Sequence, residues 1–141
     1  MNENPKTGHR EGSRSSLIAH RSALVLFAHG ARDPEWAEPF RAIATRVAAD
    51  RKDLTVKLAF LELQTPSLAD AIAELAEGGH SSIHIAPLFM AQGGHLKKDV
   101  PKLLAEISLQ QPGLKIELLQ AIGDVPGLRD AIASWLTGIV P

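Results

Sequence analysis

The chain has 141 residues, a length that suits one domain. Apolar residues make up 45% and charged residues 22%, which is ordinary globular usage, and no run approaches the roughly 18 apolar residues that span a bilayer. Fifteen basic against sixteen acidic residues, with few aromatics for stacking bases, give no general attraction for nucleic acid. Cysteine is absent, which removes disulfides, thiolate nucleophiles, Fe–S clusters and cysteine-based zinc sites. Any metal must therefore be handled by imidazole and carboxylate.

Residues 1–22 are rich in Asn, Gly, Ser, Arg and Glu, and their longest apolar stretch is Leu17-Ile18-Ala19. That is too short for a signal-peptide core, so a disordered tail over 1–22 is expected, followed by a cytoplasmic domain over 23–141. Ala23–His29 is a continuous apolar run, as expected of a strand covered on both faces. Asp33-Pro34 reads as a turn, with helix beginning near Trp36 and carrying Phe40, Ile43 and Val47 on one face; Pro39 sits oddly there. Leu54–Leu61 is the second strand, and Thr65-Pro66 the expected N-cap and first position of the second helix. That helix carries Leu68, Ile72 and Leu75 and stops at Gly78-Gly79. Ser82–Leu88 is the third strand. A long connection through Gly93, Gly94 and His95 leads to a helix with Val100, Leu103, Leu104 and Ile107. Leu114–Leu119 is the fourth strand, and the last helix is expected to bury Leu128, Ile132, Trp135 and Ile139.

This alternation predicts a three-layer α/β domain with a four-stranded parallel sheet. The first and third strands are the most uniformly apolar and belong in the middle, whereas the second and fourth carry charges suited to edges. The predicted order is 2-1-3-4, flavodoxin-like, and ligands of such sheets bind beyond the strand carboxyl ends where the chain reverses direction. His29 and His95 both fall at that crevice, and Glu62 ends the neighbouring second strand. Two imidazoles and a carboxylate suit a divalent transition metal and leave coordination positions open for a substrate. The other four histidines have plainer readings: His9 and His20 lie in the tail, His80 in a turn, and His84 alternates into a strand. No GxxxxGKS or GxGxxG follows a strand, so no nucleotide is expected. Gly93 and Gly94 could aim backbone N–H groups at an anion, and Arg32, Lys97 and Lys98 flank the same loops.

HGARDP, then FLEL followed by PSL, then PLFMAQGGHLKKDVP resemble the CbiX/SirB-type chelatases over about residues 24–139. Ala31 departs from the serine that the family usually shows after His-Gly. The resemblance implies ATP-independent insertion of a divalent metal, foremost Co²⁺, into sirohydrochlorin on the way to cobalamin. It implies His29 and His95 as the metal-handling histidines and Glu62 as a third participant. Gly30, Arg32, Phe89, Met90, Gly93, Gly94, Lys97 and Lys98 would then contact substrate, with Leu88 and Leu96 helping to cover one ring face. A chain with a single unit is expected to act as a homodimer, without nucleic-acid or membrane partners. Nickel or ferrous insertion, or a carrier that binds metal or tetrapyrrole without catalysis, are the alternatives. A histidine phosphatase ranks below these because Ala28 stands where that class places arginine before His-Gly. A chain shortened to begin near Ser22 should keep its far-UV circular dichroism and its rate of metal insertion. Loss of either would show that the tail docks on the domain.

Overall fold

The computed structural model describes residues 21–141, so the expected tail lies almost wholly outside the described residues. Four strands, β1 (Ser22–Ala28), β2 (Thr55–Phe60), β3 (Ser82–Pro87) and β4 (Lys115–Leu118), form one parallel sheet in the order β2-β1-β3-β4. The helices are α1 (Glu38–Asp50), α2 (Leu68–Glu77), α3 (Gly94–Gln110) and α4 (Pro126–Ile139). The order predicted from strand composition is the observed one, and β1 is indeed central: Phe27 pairs in register with Ala59 on one side and Pro87 on the other.

The core lies mainly between the sheet and the pair α2–α3. Val25, Phe27, Ala59, Ile83 and Ile85 meet Leu68, Ala71, Ile72 and Leu75 of α2 and Val100 and Leu104 of α3. Each large side chain removed from water here contributes about 1.5–3 kcal/mol. On the opposite face Ala28 and Phe60 pack with Ala37, Trp36 and Phe40 around the start of α1. No helix among the described residues is long and apolar enough to cross a membrane.

Four expectations need correction. A 3₁₀ turn, Pro34–Ala37, capped by the Asp33 carboxylate on the Glu35 N–H, precedes α1. The helix then starts at Glu38, which puts Pro39 in the first turn, where its missing N–H costs nothing. The cap of α2 is Ser67, whose hydroxyl accepts from the Asp70 N–H, and not Thr65. Pro66 cannot open the helix because its carbonyl is spent on the Phe60 N–H, extending the β2 pairing, and the Thr65-Pro66 bond is cis. Helix α3 begins earlier than expected, at Gly94, and runs through Pro101, so His95 stands in its first turn and not on a loop.

The fourth correction concerns α4. Leu128, Ile132, Trp135 and Ile139 are all exposed, and α4 buries no residue. Its main contacts are with the 3₁₀ turn Ile122–Asp124, so it does not cover the sheet.

The plainer readings of His80 and His84 fit the structure, and His9 and His20 lie outside the described residues. His84 pairs with Glu117 at 3.0 Å across the β3–β4 ladder at the surface. His80 is a buried strut: Nδ1 lies 3.0 Å from the Leu75 carbonyl and Nε2 2.9 Å from the Thr55 hydroxyl. A carbonyl can only accept, so Nδ1 carries the proton and adds a second donor to the Leu75 carbonyl, which also accepts from the His80 backbone N–H at 3.0 Å. His80→Ala should cost about 1–3 kcal/mol in urea unfolding, the range for orphaned buried partners. It should leave any catalysis at the distant carboxyl edge unchanged.

Candidate active site

The site is built on an extension of the sheet past its regular strands. Beyond β1 and β2 the Leu61 N–H donates to the Ala28 carbonyl (2.9 Å) and the Glu62 N–H to the His29 carbonyl (3.1 Å). His29 and Glu62 are thus held side by side through their backbones while both side chains stay exposed. Gly30 makes this approach possible. Its φ is +88°, and a Cβ there would lie 1.9 Å from the Glu62 carbonyl oxygen. Its place in the His-Gly pair is therefore dictated by packing. The turn after Glu62 is tight as well: Leu63 has φ +65° and the Gln64 N–H reaches back to the Glu62 carbonyl at 2.8 Å.

The His29 ring rests on Phe89, with centroids 4.5 Å apart and planes at 58°. Phe89 in turn meets Phe27 edge-on at 5.3 Å and 75°. Phe89 is only 3% exposed, so it supports the histidine from below and cannot cover a face of the substrate. Met90, 56% exposed, is free to do so. The loop is pinned from the other side by Gly123, whose N–H donates to the Phe89 carbonyl (3.1 Å). A Cβ on Gly123 would come within 1.7 Å of the Met90 carbonyl oxygen. Sequence reasoning passed over Gly123, because a lone glycine after a strand ordinarily signals only a turn.

His95 enters from α3. Gly93 is the N-cap and contributes no side chain, and a Cβ at Gly93 or Gly94 would point into open space. The two glycines are not required by packing; they leave the start of α3 open, with its N–H groups and positive dipole end at the carboxyl edge of the sheet. Leu96 packs against the core while His95, Lys97 and Lys98 are exposed. Asp99, one turn after His95 and so on the same helix face, was also missed. It lines an apolar cavity of about 180 Å³ with Phe60, Leu61, Leu96 and Val100, and the i, i+4 spacing from His95 was the available signal.

The structure does not bring every candidate together. Arg32 lines an open groove of about 720 Å³ beside β2, with Arg41, Lys57 and Gln64. Lys97 lines a cavity of about 90 Å³ with Gln92, Phe89 and Leu118, on the β4 side. The cations therefore flank the carboxyl edge from opposite sides. Among the described residues, no three His, Asp or Glu side chains stand close enough to hold a metal ion. His29, Glu62 and His95 are arranged along an edge, not gathered into a cage.

A parallel sheet in this order, with histidines after its two central strands, defines a chelatase-like α/β domain. The chain belongs to the CbiX family, whose model matches residues 23–137. It is 32% identical over 117 residues to the sirohydrochlorin cobaltochelatase of Saccharolobus islandicus, covering 80% of this chain and 88% of that one. The sirohydrochlorin cobaltochelatase of Methanopyrus kandleri is 38% identical over 82 residues, which span 58% of this chain and 57% of the relative's length. Among solved structures, a cobalamin (vitamin B12) biosynthesis CbiX protein from Marinobacter aquaeolei VT8 superposes with a TM-score of 0.72 at 31% identity, covering 83% of this chain and 95% of that one. The sirohydrochlorin chelatase SirB of Bacillus subtilis subspecies spizizenii, solved with cobalt, shares the fold at a TM-score of 0.66 and 23% identity. That match covers 84% of this chain and about half (51%) of SirB.

Gly30→Ala should force His29 away from Glu62. Loss of about 2 kcal/mol or more in urea unfolding is expected, given the strain of a side chain at this φ. A variant of native stability would show that the close approach is not needed.

Proposed function

We propose that this chain inserts a divalent metal, Co²⁺, into sirohydrochlorin in the cytoplasm without nucleotide. The observation that carries the reading is the carboxyl edge itself. His29, seated on Phe89 and tied by its backbone to Glu62, faces solvent at the mouth of the sheet whose next helix opens on His95. The names of the S. islandicus and M. kandleri relatives support the substrate assignment.

Insertion requires that two pyrrole N–H protons leave while a partly desolvated cation reaches four ring nitrogens. Imidazole can ligate the incoming metal when unprotonated and can accept a proton near neutral pH, so His29 and His95 supply both capacities. The Glu62 carboxylate, held beside His29, adds negative charge that favours the arriving cation and offsets the proton load. An edge-like arrangement of donors suits transfer: the metal exchanges protein ligands for ring nitrogens, and a closed cage would hold it back. Met90 offers an apolar contact for the macrocycle, and the glycine-opened start of α3 favours anionic substituents. Arg32 on one flank and Lys97 with Lys98 on the other would meet the carboxylates that such a substrate carries.

Incubating the chain with sirohydrochlorin and Co²⁺, Ni²⁺ or Fe²⁺ in parallel, followed by absorbance, tests the reading. Fastest formation of the cobalt product is expected; faster nickel or iron insertion would reassign the metal, and a shifted spectrum without product would make the chain a carrier. His29→Ala and His95→Ala should each reduce insertion by about 10²-fold or more, as expected when an acid–base or ligand group is removed, with native circular dichroism. Glu62→Gln should slow it less. A histidine variant that keeps most of its activity contradicts the mechanism. Exposed charges are screened over about 8–10 Å at physiological salt. The Michaelis constant should therefore rise with ionic strength, and Lys97→Ala combined with Lys98→Ala should flatten that dependence.

A further inference from the structure

We propose that the groove beside β2 seats one carboxylate-bearing flank of the macrocycle, with Arg41 of α1 as its fixed anchoring cation. The proposal rests on the chelatase reading for the identity of the ring and adds where that ring lies. The groove runs from the carboxyl edge down the outer side of β2, between that strand and α1, and its volume of about 720 Å³ is of the size that ligands occupy.

Arg32, Arg41 and Lys57 line this groove, and among the described residues that line it none is acidic. The three cations are not equivalent. Lys57 is paired with Glu74 of α2, whereas Arg32 is exposed and makes no ion pair among the described residues. Arg41 is braced. Its Nη1 and Nη2 both donate to the Pro34 carbonyl, at 3.3 and 3.2 Å, and Nη1 also donates to Glu38 at 3.1 Å. Those bonds leave the Nε hydrogen and the outer Nη2 hydrogen, the parallel pair that grips a carboxylate side-on. The Glu38 partner is exposed, so water screens most of its pull. A guanidinium already held in place loses little freedom when it binds.

The strand adds neutral donors. Alternate residues of an edge strand turn their N–H groups outward, and Phe60 donates its own to the Pro66 carbonyl at 2.9 Å. The same alternation aims the N–H groups of Val56 and Leu58 into the groove, which both residues line. Their side chains, with Leu63, give the edge of a ring an apolar wall.

Other openings around the carboxyl edge suit such a flank less well. The cavity of about 180 Å³ between α2 and α3 has Asp99 as the one charged residue among the described residues lining it, and that carboxylate repels its like. The opening beside Lys97 is about 90 Å³, against about 720 Å³ for the groove. Phe60 lines both the groove and the Asp99 cavity, while Leu61 lines only the cavity and Leu63 and Gln64 only the groove. Glu62 therefore stands on a ridge with cations to one side and an anion to the other. A polycarboxylate ring centred over His29 and Glu62 is drawn towards β2, and Lys97 and Lys98 meet its far rim.

Trp36 is a built-in reporter, because it belongs to the 3₁₀ turn whose Pro34 carbonyl braces Arg41. The chain has two tryptophans, so Trp135→Phe leaves Trp36 alone. Metal-free sirohydrochlorin titrated into the full-length Trp135→Phe chain should quench Trp36 fluorescence. Arg41→Gln should raise Kd by about 10-fold or more, as for loss of a charge-assisted bond. Thr45 lies one turn beyond Arg41 in the same groove. Thr45→Glu should weaken binding by about 3-fold or more and Thr45→Lys should strengthen it, with unchanged far-UV circular dichroism. A merely structural effect would move both in the same direction. In the insertion assay Arg41→Gln should raise the Michaelis constant and leave kcat within about 2-fold. Equal affinity in all three variants would overturn the seat, as would binding seen in sirohydrochlorin's own absorbance without Trp36 quenching. Affinity that follows these charges without metal insertion keeps the seat and removes the chelatase assignment. Insertion with affinity indifferent to them does the reverse, and absence of binding removes both.

Discussion

The backbone approach of Gly30 to the Glu62 carbonyl is the constraint on which the carboxyl edge depends. It lets the β1–β2 pairing continue for two residues beyond the regular strands, and those residues include His29 and Glu62. Without that continuation the histidine would leave the sheet at an arbitrary angle. With it, the ring settles on Phe89, which is itself locked by Phe27 below and by Gly123 behind. One imidazole is therefore placed by three backbone contacts and two aromatic ones. This is the support a reactive side chain needs if it is to stay in one orientation while remaining open to solvent.

His95 is held by a different logic. It rides on the first turn of α3, whose position follows from Val100 and Leu104 in the core and from Leu96 half-buried above them. The two histidines thus arrive from two independently anchored elements, at an edge with an opening of about 720 Å³ to its β2 side. Such an edge has the character of a platform, suited to a flat macrocycle approached by metal from one side. The flanking cations Arg32 and Lys97 line separate openings on opposite sides of this edge. A large polycarboxylate would span them, whereas a small anion would need them clustered.

Much of this was legible in the chain. Strand order followed from where Lys57, Lys115 and Glu117 interrupt otherwise apolar runs, because edge strands tolerate charge and central ones do not. Placement of His29 and His95 at one edge followed from that order. What was not legible depended on competition between local and tertiary bonds. Thr65-Pro66 has the local form of a helix start, yet the Pro66 carbonyl is claimed by Phe60, a contact no local pattern records. The start of α3 was obscured by Gly93-Gly94, which read as a loop although the helix absorbs the second glycine. Phe89 was expected to touch substrate because it lies on the loop after the third strand, which the family resemblance sets against one ring face; its burial follows only from where Phe27 stands. The stripe of α4 was read correctly as apolar, but periodicity does not say whether the chain itself buries that face, and here it stays exposed.

The central claim is that His29 and His95 serve a single metal transfer from two elements of the fold. A double-mutant cycle on single-turnover cobalt insertion tests it most directly, using wild type, His29→Ala, His95→Ala and the double variant. Two groups acting on one step should show strong non-additivity, with the double variant little slower than the slower single one. Losses that multiply would mean that the histidines act independently, and the shared site described here would be contradicted.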